Sequence, residues 1–324
     1  MKGGAGLTRK IVALQALTDE HVEQIRVVAP EWELIHGSNR ELMLPHLKEA
    51  EILLGWSSAA ADQCIQPDSK LRWVQNWNAG VDRLPLASFA AAGILLTNAS
   101  GVHPYPISET VMGMLLSLTR QLHQCIHNQR QRKWARLGEL HEMHGKTVGI
   151  VGVGAIGSEV ARLCKAFGMQ VLGVRRSYAV AEYVDSMVTL DGLDEVLRAS
   201  DYVVVTLPLT EQTKLLMGRT QFRTMKPSAY YINIGRGGTT DEAALIEALC
   251  SGTIAGAGLD VFEVEPLPEN SLLWQMDNVI ITPHNSGSTV HYNDRAMGIF
   301  LNNLRDYTEG KEPQHNRVDL HRQY

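Results

Sequence analysis

The run Gly152-Val153-Gly154-Ala155-Ile156-Gly157 constrains this chain more than any other stretch. It has the pattern G-x-G-x-x-G, and its flanks agree with it. Thr147-Val148-Gly149-Ile150-Val151 before it is short and apolar, as a buried strand should be. Residues 158–167 after it carry apolar side chains at helical spacing, with Gly168 as a stop, and a second apolar run, Val171-Leu172-Gly173-Val174, follows. The unit is strand, turn, helix, strand. The three glycines give a tight turn, close backbone approach to a pyrophosphate, and close packing of helix on strand. The helix start then offers free N–H groups to the anion. A bare glycine-rich turn is the simpler alternative, but the flanks favour a dinucleotide site using Gly152, Gly154, Ala155, Ile156 and Gly157.

The same unit bears on which dinucleotide is bound. An acidic residue at the end of the second strand would hold a ribose 2′-hydroxyl. Here Arg175, Arg176 and Ser177 stand in that place. Two guanidiniums beside a hydroxyl suit a 2′-phosphate through forked, charge-assisted hydrogen bonds. The expectation is NADP (as NADPH), with NAD as the alternative. A solvated basic turn is the bland reading of the same residues.

A chain of 324 residues predicts two domains. With 44% hydrophobic and 20% charged residues it should fold and be soluble. A net charge of −5 argues against a general nucleic-acid binder. Cys64, Cys125, Cys164 and Cys250 are scattered, with no metal-ligand spacing, and are expected to be buried free thiols in a reducing compartment. The start, Met1-Lys2-Gly3-Gly4-Ala5-Gly6, lacks the apolar core of a signal peptide. No apolar run is long enough to span a bilayer. A cytoplasmic protein with no metal and no membrane or nucleic-acid partner is expected.

Strand-like and helix-like segments alternate throughout, which predicts an α/β fold with parallel sheets. Strands are expected at Ile11-Val12-Ala13-Leu14, Ile52-Leu53-Leu54, Trp73-Val74 and residues 93–97, with Thr18 capping a helix through about Val28. A long helix is expected after Ser108, with Met112, Leu115 and Leu118 on its apolar face, and a polar, basic stretch over 121–133. Beyond the glycine-rich unit, strands are expected over 201–207, 229–233, 255–261 and 279–282, and a helix over 242–251 stopped by Gly252. The glycine-rich domain thus sits mid-chain, and the C-terminal tail is expected to complete the first domain. The boundaries expected are 1–101 with 287–324 for one domain and 102–286 for the other.

Three polar residues stand at the ends of predicted strands. They are Arg236 in Asn233-Ile234-Gly235-Arg236-Gly237, Glu265 in Val261-Phe262-Glu263-Val264-Glu265-Pro266, and His284 in Thr282-Pro283-His284-Asn285-Ser286. Each alone reads as an ordinary surface or turn residue. Together, beside a dinucleotide fingerprint, they form the set that reduction of a 2-keto acid needs. Arg grips the substrate carboxylate and polarises the carbonyl. His gives a proton to the carbonyl oxygen as hydride arrives. A carboxylate behind the His orients the ring and favours its charged form.

These motifs resemble the D-isomer-specific 2-hydroxyacid dehydrogenases. The similarity runs from Asn78-Ala79-Gly80-Val81-Asp82 through the glycine-rich loop, Leu207-Pro208-Leu209-Thr210, Met225-Lys226-Pro227 and residues 233–237 to Thr282-Pro283-His284. Asn285-Ser286-Gly287, with Leu273-Trp274, resembles the glyoxylate/hydroxypyruvate reductase-like branch. The resemblance implies two Rossmann-like or flavodoxin-like domains, an active site in the cleft between them, and a homodimer. It implies that Arg236, Glu265 and His284 are catalytic, that Ala79 and Gly80 offer backbone N–H groups to the substrate carboxylate, and that Asp260 contacts the nicotinamide amide. Leu207 and Pro208 fall in its cofactor-binding set. The dimer contact it implies lies in segments like 105–140, and the face of Met112, Leu115 and Leu118 is expected to be partly buried there. Two departures stand out: Arg175 where many members have Asp, and Gly238-Thr239-Thr240 where apolar residues are common.

The alternatives are an NAD-dependent phosphoglycerate or other D-2-hydroxyacid dehydrogenase, and a dinucleotide-sensing, corepressor-like interaction protein. Arg175 counts against the first. No disordered partner-binding tail speaks for the second. Trp56, Trp77, His103, Tyr105 and Trp274 are candidates to shape the substrate side-chain pocket, and each reads equally well as packing or dimer contact.

Overall fold

A computed structural model of the chain describes residues 9–37, 40–81, 83–178 and 180–320. The start from Met1 to Gly6 and Asp82, both used in the sequence reading, lie outside the described residues. The chain divides into two compact units, one of Met1–Val102 with Val290–Tyr324, the other of His103–Thr289.

The first unit opens with β1 (Lys10–Ala13), α1 (Asp19–Val28), β2 (Glu33–Ile35), β3 (Ile52–Leu54), α2 (Ser58–Cys64), β4 (Trp73–Gln75), α3 (Leu86–Ala92) and β5 (Leu95–Thr97). The second unit carries α4 (Pro104–Thr119), α5 (Leu122–Arg130), β6 (Thr147–Val151), α6 (Ala155–Ala166), β7 (Gln170–Val174), β8 (Ser186–Val188), α7 (Leu193–Ala199) and β9 (Tyr202–Val205). It continues with α8 (Arg219–Thr224), β10 (Tyr230–Asn233), α9 (Glu242–Cys250), β11 (Gly256–Leu259) and β12 (Val279–Ile281). The last helix, α10 (Tyr292–Thr308), belongs to the first unit.

Each unit is built on one parallel sheet. The first has strand order β2-β1-β3-β4-β5, the flavodoxin-like order. The second has order β12-β11-β10-β9-β6-β7-β8, a Rossmann order extended by one strand. The expected fold class of two parallel-sheet α/β units is what forms. Central strands of such sheets are covered on both faces, which is why Val148, Ile150 and Val151, or Val203, Val204 and Val205, form unbroken apolar runs. In the first unit Trp73, fully buried, stacks on Phe300 of α10 at 5.3 Å.

Local chemistry sets the helix ends. Thr18 caps α1 by accepting from the His21 N–H, and His21 Nδ1 accepts from the Thr18 N–H. Asp241 caps α9 through the Ala244 N–H at 3.0 Å. Four details differ from the sequence expectation. Helix α4 starts at Pro104, not after Ser108, because proline suits the first helical position. The Ser108 hydroxyl instead donates back to the Tyr105 carbonyl. The strand expected from residue 93 starts at Leu95, because Gly93 closes α3 with φ +65°. The basic stretch over 121–133 contains a helix, α5, with no buried residue. Cys125 and Cys250 are exposed, and only Cys64 and Cys164 are buried; burial pushes both of these thiols up to about 12.

A fifth difference concerns association. Met112, Leu115 and Leu118 are at most 6% exposed and pack into the second unit's own core with Val160, Ala161 and Cys164 of α6. That face cannot meet a partner. The apolar side chains left exposed in the same region are Tyr105, Leu122, Ile126, Trp134 and Leu140. Among the described residues no helix is long and apolar enough to cross a membrane.

Candidate functional site

The second sheet carries its polar residues at one edge. Going across β6, β9, β10, β11 and β12, the carboxyl ends lead into Gly152, Leu207, Arg236, Asp260 and His284. That edge is where open parallel sheets bind ligands.

The glycine-rich loop has the shape a pyrophosphate needs. Gly152 has φ +111°, and a Cβ there would stand 2.9 Å from Thr206 Oγ1 and 3.2 Å from the Leu207 nitrogen. A Cβ at Gly157 would overlap the Gly152 carbonyl, so only glycine lets α6 close on the strand. Gly154, just before α6, faces open space. Ala155 is exposed and Ile156 half-buried at the first turn. Leu207 and Pro208 follow β9, and a Cβ at Gly235 would stand 2.9 Å from the Leu207 nitrogen. The loops after β6, β9 and β10 therefore touch. This cradle suits a dinucleotide, whose phosphates the free N–H groups at the start of α6 would hold.

Arg175, Arg176 and Ser177 follow β7, and all three are exposed. The Arg175 N–H donates to the Val188 carbonyl at 3.0 Å, which fixes the backbone of the turn. No acid occupies this position.

Arg236 leaves β10 in extended conformation, φ −140° and ψ 139°. Its Nη1 donates to the Gly235 carbonyl at 2.9 Å. A Cβ at Gly237 would overlap the Phe262 carbonyl, so the Arg236 loop lies directly on the Phe262 peptide. The N–H of Phe262 donates to Glu265 Oε1 at 3.2 Å. The other oxygen, Oε2, lies 2.8 Å from His284 Nδ1. One residue, Phe262, thus links the arginine loop through its carbonyl to the carboxylate–imidazole pair through its N–H.

His284 has φ +50°, a left-handed conformation uncommon outside glycine. Asp260 holds the loop that imposes it. Its carboxylate, 1% exposed, accepts from the hydroxyls of Thr282 (2.6 Å) and Ser286 (2.5 Å) and from the N–H groups of Asn285 (3.0 Å) and Ser286 (3.2 Å). Every one of those donors is on the His284 loop. The side chain of Asp260 is therefore engaged in loop structure, a role its strand-end position did not reveal.

In the first unit Ala79 and Gly80 lie in the loop after β4. The Asn98 side-chain amide donates to the Ala79 carbonyl at 2.8 Å, and that of Asn76 to the Gly80 carbonyl at 2.9 Å. The loop is thereby pinned through its oxygens.

Among the aromatic and imidazole candidates, Trp56 packs edge-on against Phe89, and Trp77 is buried with its Nε1 donating to Asn293. Both make packing contacts within the first unit. Tyr105 and Trp274 are half exposed, and Trp274 donates to the Pro268 carbonyl. His103 is different. Its ring covers Gly287, where a Cβ would stand 2.7 Å from its Cδ2, and it lies near enough to Arg236 to feel its charge. Burial first, then that charge, holds the imidazole below its ordinary value.

Residues 112–286 match the profile of the D-isomer specific 2-hydroxyacid dehydrogenase NAD-binding domain. The chain is 39% identical over 273 residues to the glyoxylate/hydroxypyruvate reductase B of Citrobacter koseri, covering 81% of this chain and 82% of that one. The chain belongs to the D-isomer specific 2-hydroxyacid dehydrogenase family. It is also similar to the D-3-phosphoglycerate dehydrogenase of Methanocaldococcus jannaschii, at 33% identity over 93% of this chain, but spans only 58% of that relative's length. Among solved structures, an NADPH-dependent glyoxylate/hydroxypyruvate reductase of Sinorhizobium meliloti, with NADP and sulfate bound, aligns with TM-score 0.82. It is 30% identical, over 98% of this chain and all of that one. Members of this dehydrogenase family are oxidoreductases, and the cofactor class of this chain is a nicotinamide dinucleotide.

Proposed function

We propose that this chain is an NADP(H)-dependent reductase of small 2-keto acids, of the glyoxylate or hydroxypyruvate reductase type. The observation that carries the reading is the Glu265–His284 pair, 2.8 Å apart, on the same sheet edge as Arg236 and the glycine-rich loop. The relatives named as glyoxylate and hydroxypyruvate reductases support the substrate class.

The bound nicotinamide supplies the hydride. Arg236 pairs with the substrate carboxylate and draws electron density toward the carbonyl oxygen. His284 delivers the proton that this oxygen needs to become a hydroxyl. Glu265, fixed by the Phe262 N–H, receives Nδ1 of His284, which leaves Nε2 for the substrate and steadies the charged ring. Ala79 and Gly80 add backbone N–H groups to the substrate carboxylate. Asp260, through the His284 loop that it holds, would support the nicotinamide end of the cofactor, and Leu207 and Pro208 would border it. Arg175, Arg176 and Ser177 receive the 2′-phosphate, which is the basis for preferring NADP.

In this reading the first unit, with α10, binds substrate, and the unit of His103–Thr289 binds the dinucleotide. The protein is a homodimer, supported by Leu122 and Ile126 one turn apart on the exposed α5 and by a wholly exposed Trp134. A cytoplasmic location belongs to the same reading and is supported by four unpaired cysteines. The test is NADPH and NADH oxidation over a panel of glyoxylate, hydroxypyruvate, pyruvate and bulkier keto acids. Turnover of a small keto acid with NADPH is expected. Preference for NADH with a phosphorylated keto acid would favour the phosphoglycerate dehydrogenase reading instead.

A further inference from the structure

The stretch Gly238-Thr239-Thr240 follows Arg236, and no catalytic role absorbs it. The structure shows what its hydroxyls do. The Arg236 carbonyl accepts the Thr239 hydroxyl at 2.7 Å, the Thr239 N–H at 3.1 Å, and the Asn233 Nδ2 at 3.3 Å. Asn233 Nδ2 also reaches Thr239 Oγ1 at 3.3 Å and Thr240 Oγ1 at 3.0 Å, while its Oδ1 accepts the Gly235 N–H at 3.0 Å. Thr240 Oγ1 lies 2.6 Å from the Tyr231 hydroxyl. Tyr231, Asn233, Thr239 and Thr240 are all at most 4% exposed. The network starts on β10, at Tyr231 and Asn233, and ends on the backbone of Arg236.

We propose that Thr239 is a positioning residue for Arg236. Supported by Asn233 and Thr240, it fixes the arginine's backbone and so the aim of its guanidinium at the substrate carboxylate. The inference rests on the reading of Arg236 as the carboxylate anchor.

The physical case is one of reach. An arginine side chain is long and rotatable, so a forked pairing needs its base held still. On one side Gly235 and Gly237 let the loop pack on Leu207 and Phe262 with no side chain between. On the other, the carbonyl of Arg236 itself is held by two side-chain donors and one backbone donor. An apolar residue at 239 would keep the packing and leave that part-buried carbonyl without its shortest partner. Buried networks of this kind hold one geometry only while every member is satisfied. Among the described residues, Glu265 and His284 bond to Phe262 and to each other and not to Thr239, Thr240 or Asn233, so a change at Thr239 should act on the arginine first and on proton delivery little.

The experiment compares full-length wild type with Thr239→Val, Thr239→Ser, Thr239→Cys and Arg236→Ala, using NADPH oxidation with the best keto acid of the panel. Melting temperatures are measured alongside. Thr239→Val should raise KM for the keto acid about five- to tenfold, the scale of one buried hydrogen bond. KM for NADPH and the shape of the pH–rate profile should not move. Thr239→Ser should restore wild-type KM, and Thr239→Cys, a weaker donor, should fall between. A purely structural threonine would lower the melting temperature without this selective rise in KM. Wild-type KM in Thr239→Val, or equal losses for keto acid and NADPH, would overturn the proposal. If Thr239→Val does not fold, the Ser-against-Cys comparison decides: equal keto-acid KM in the two overturns it. Arg236→Ala separates the layers. If that variant keeps its keto-acid KM, the anchor reading itself fails; if it loses it while Thr239→Val does not, only the positioning role fails.

Discussion

Glu265 divides its carboxylate between two partners: Oε2 lies 2.8 Å from Nδ1 of His284, and Oε1 accepts the Phe262 N–H at 3.2 Å. The second contact keeps the acid from rotating away from the first. The Phe262 carbonyl, on the same residue, is the surface on which Gly237 rests. Orientation of the imidazole and placement of the arginine loop therefore share one short segment after β11.

Glu265→Gln tests the division of labour. The amide can still meet Nδ1 but no longer stabilises a charged ring. Turnover in the reductive direction should fall about tenfold at neutral pH, on the scale of one charge-assisted hydrogen bond. KM for the keto acid should change little. Steady-state kinetics of the two enzymes read this out, and unchanged turnover in the variant would contradict it.

Arg175→Asp tests cofactor choice. The variant places an acid where a ribose 2′-hydroxyl would be met and removes one guanidinium from the 2′-phosphate. KM for NADPH should rise by roughly 10- to 100-fold, from a hydrogen bond to a charged group of about 1.5–3 kcal/mol. Discrimination against NADH should relax. Equal use of NADH and NADPH by the wild type would remove the premise.

His103 gives a stability prediction with a definite sign. Its folded value is depressed below 6.5 by burial and then by Arg236. The unfolded chain therefore binds the extra proton first as pH falls. The stabilisation from keeping this ring neutral is complete above 6.5 and is lost as pH drops through the lowered folded value. Thermal melts between pH 7 and pH 5 should show wild type losing more stability than His103→Gln. Parallel curves would show that the ring contributes nothing to the pH dependence.

Association can be tested on the exposed apolar surface of the second unit. Ile126→Glu puts a charge on α5 at a side chain 52% exposed, where it should leave the fold intact. Light scattering should report a dimer for the wild type and a monomer for the variant at micromolar concentration. A wild-type monomer would contradict the dimer reading, and a dimeric variant would place the contact elsewhere.

Much of the fold was legible because parallel strands covered on both faces are written as continuous apolar runs, such as 148–151 and 202–205. Half of the glycine fingerprint was legible from local sterics: Gly157 is forced by the Gly152 carbonyl in the same turn, whereas Gly152 is forced by Thr206 and Leu207 in the loop after β9. The helix start at Pro104 was missed because His103 before it makes no side-chain cap bond, so only the proline marks the first turn. The fate of Met112, Leu115 and Leu118 was not legible, because an apolar helical face does not say which surface will cover it. The chemistry trio could be named from strand-end positions. Its linkage through Phe262 could not, since that depends on how the loops after β10 and β11 meet. Asp260 holding the His284 loop belongs to the same kind of contact between distant segments. Thr239 holding the Arg236 carbonyl is local, and the two threonines three and four residues after the arginine were its sequence signal.

The most direct measurement is single-turnover reduction of glyoxylate or hydroxypyruvate by enzyme preloaded with NADPH, wild type against His284→Ala, with cofactor affinity measured in parallel. The expected result is an unchanged affinity for NADPH and a reduction rate lower by roughly two to four decades, the usual scale for loss of a general acid. A His284→Ala enzyme that reduces either substrate at a near-normal rate would place the proton donor elsewhere and contradict the role given to the Glu265–His284 pair.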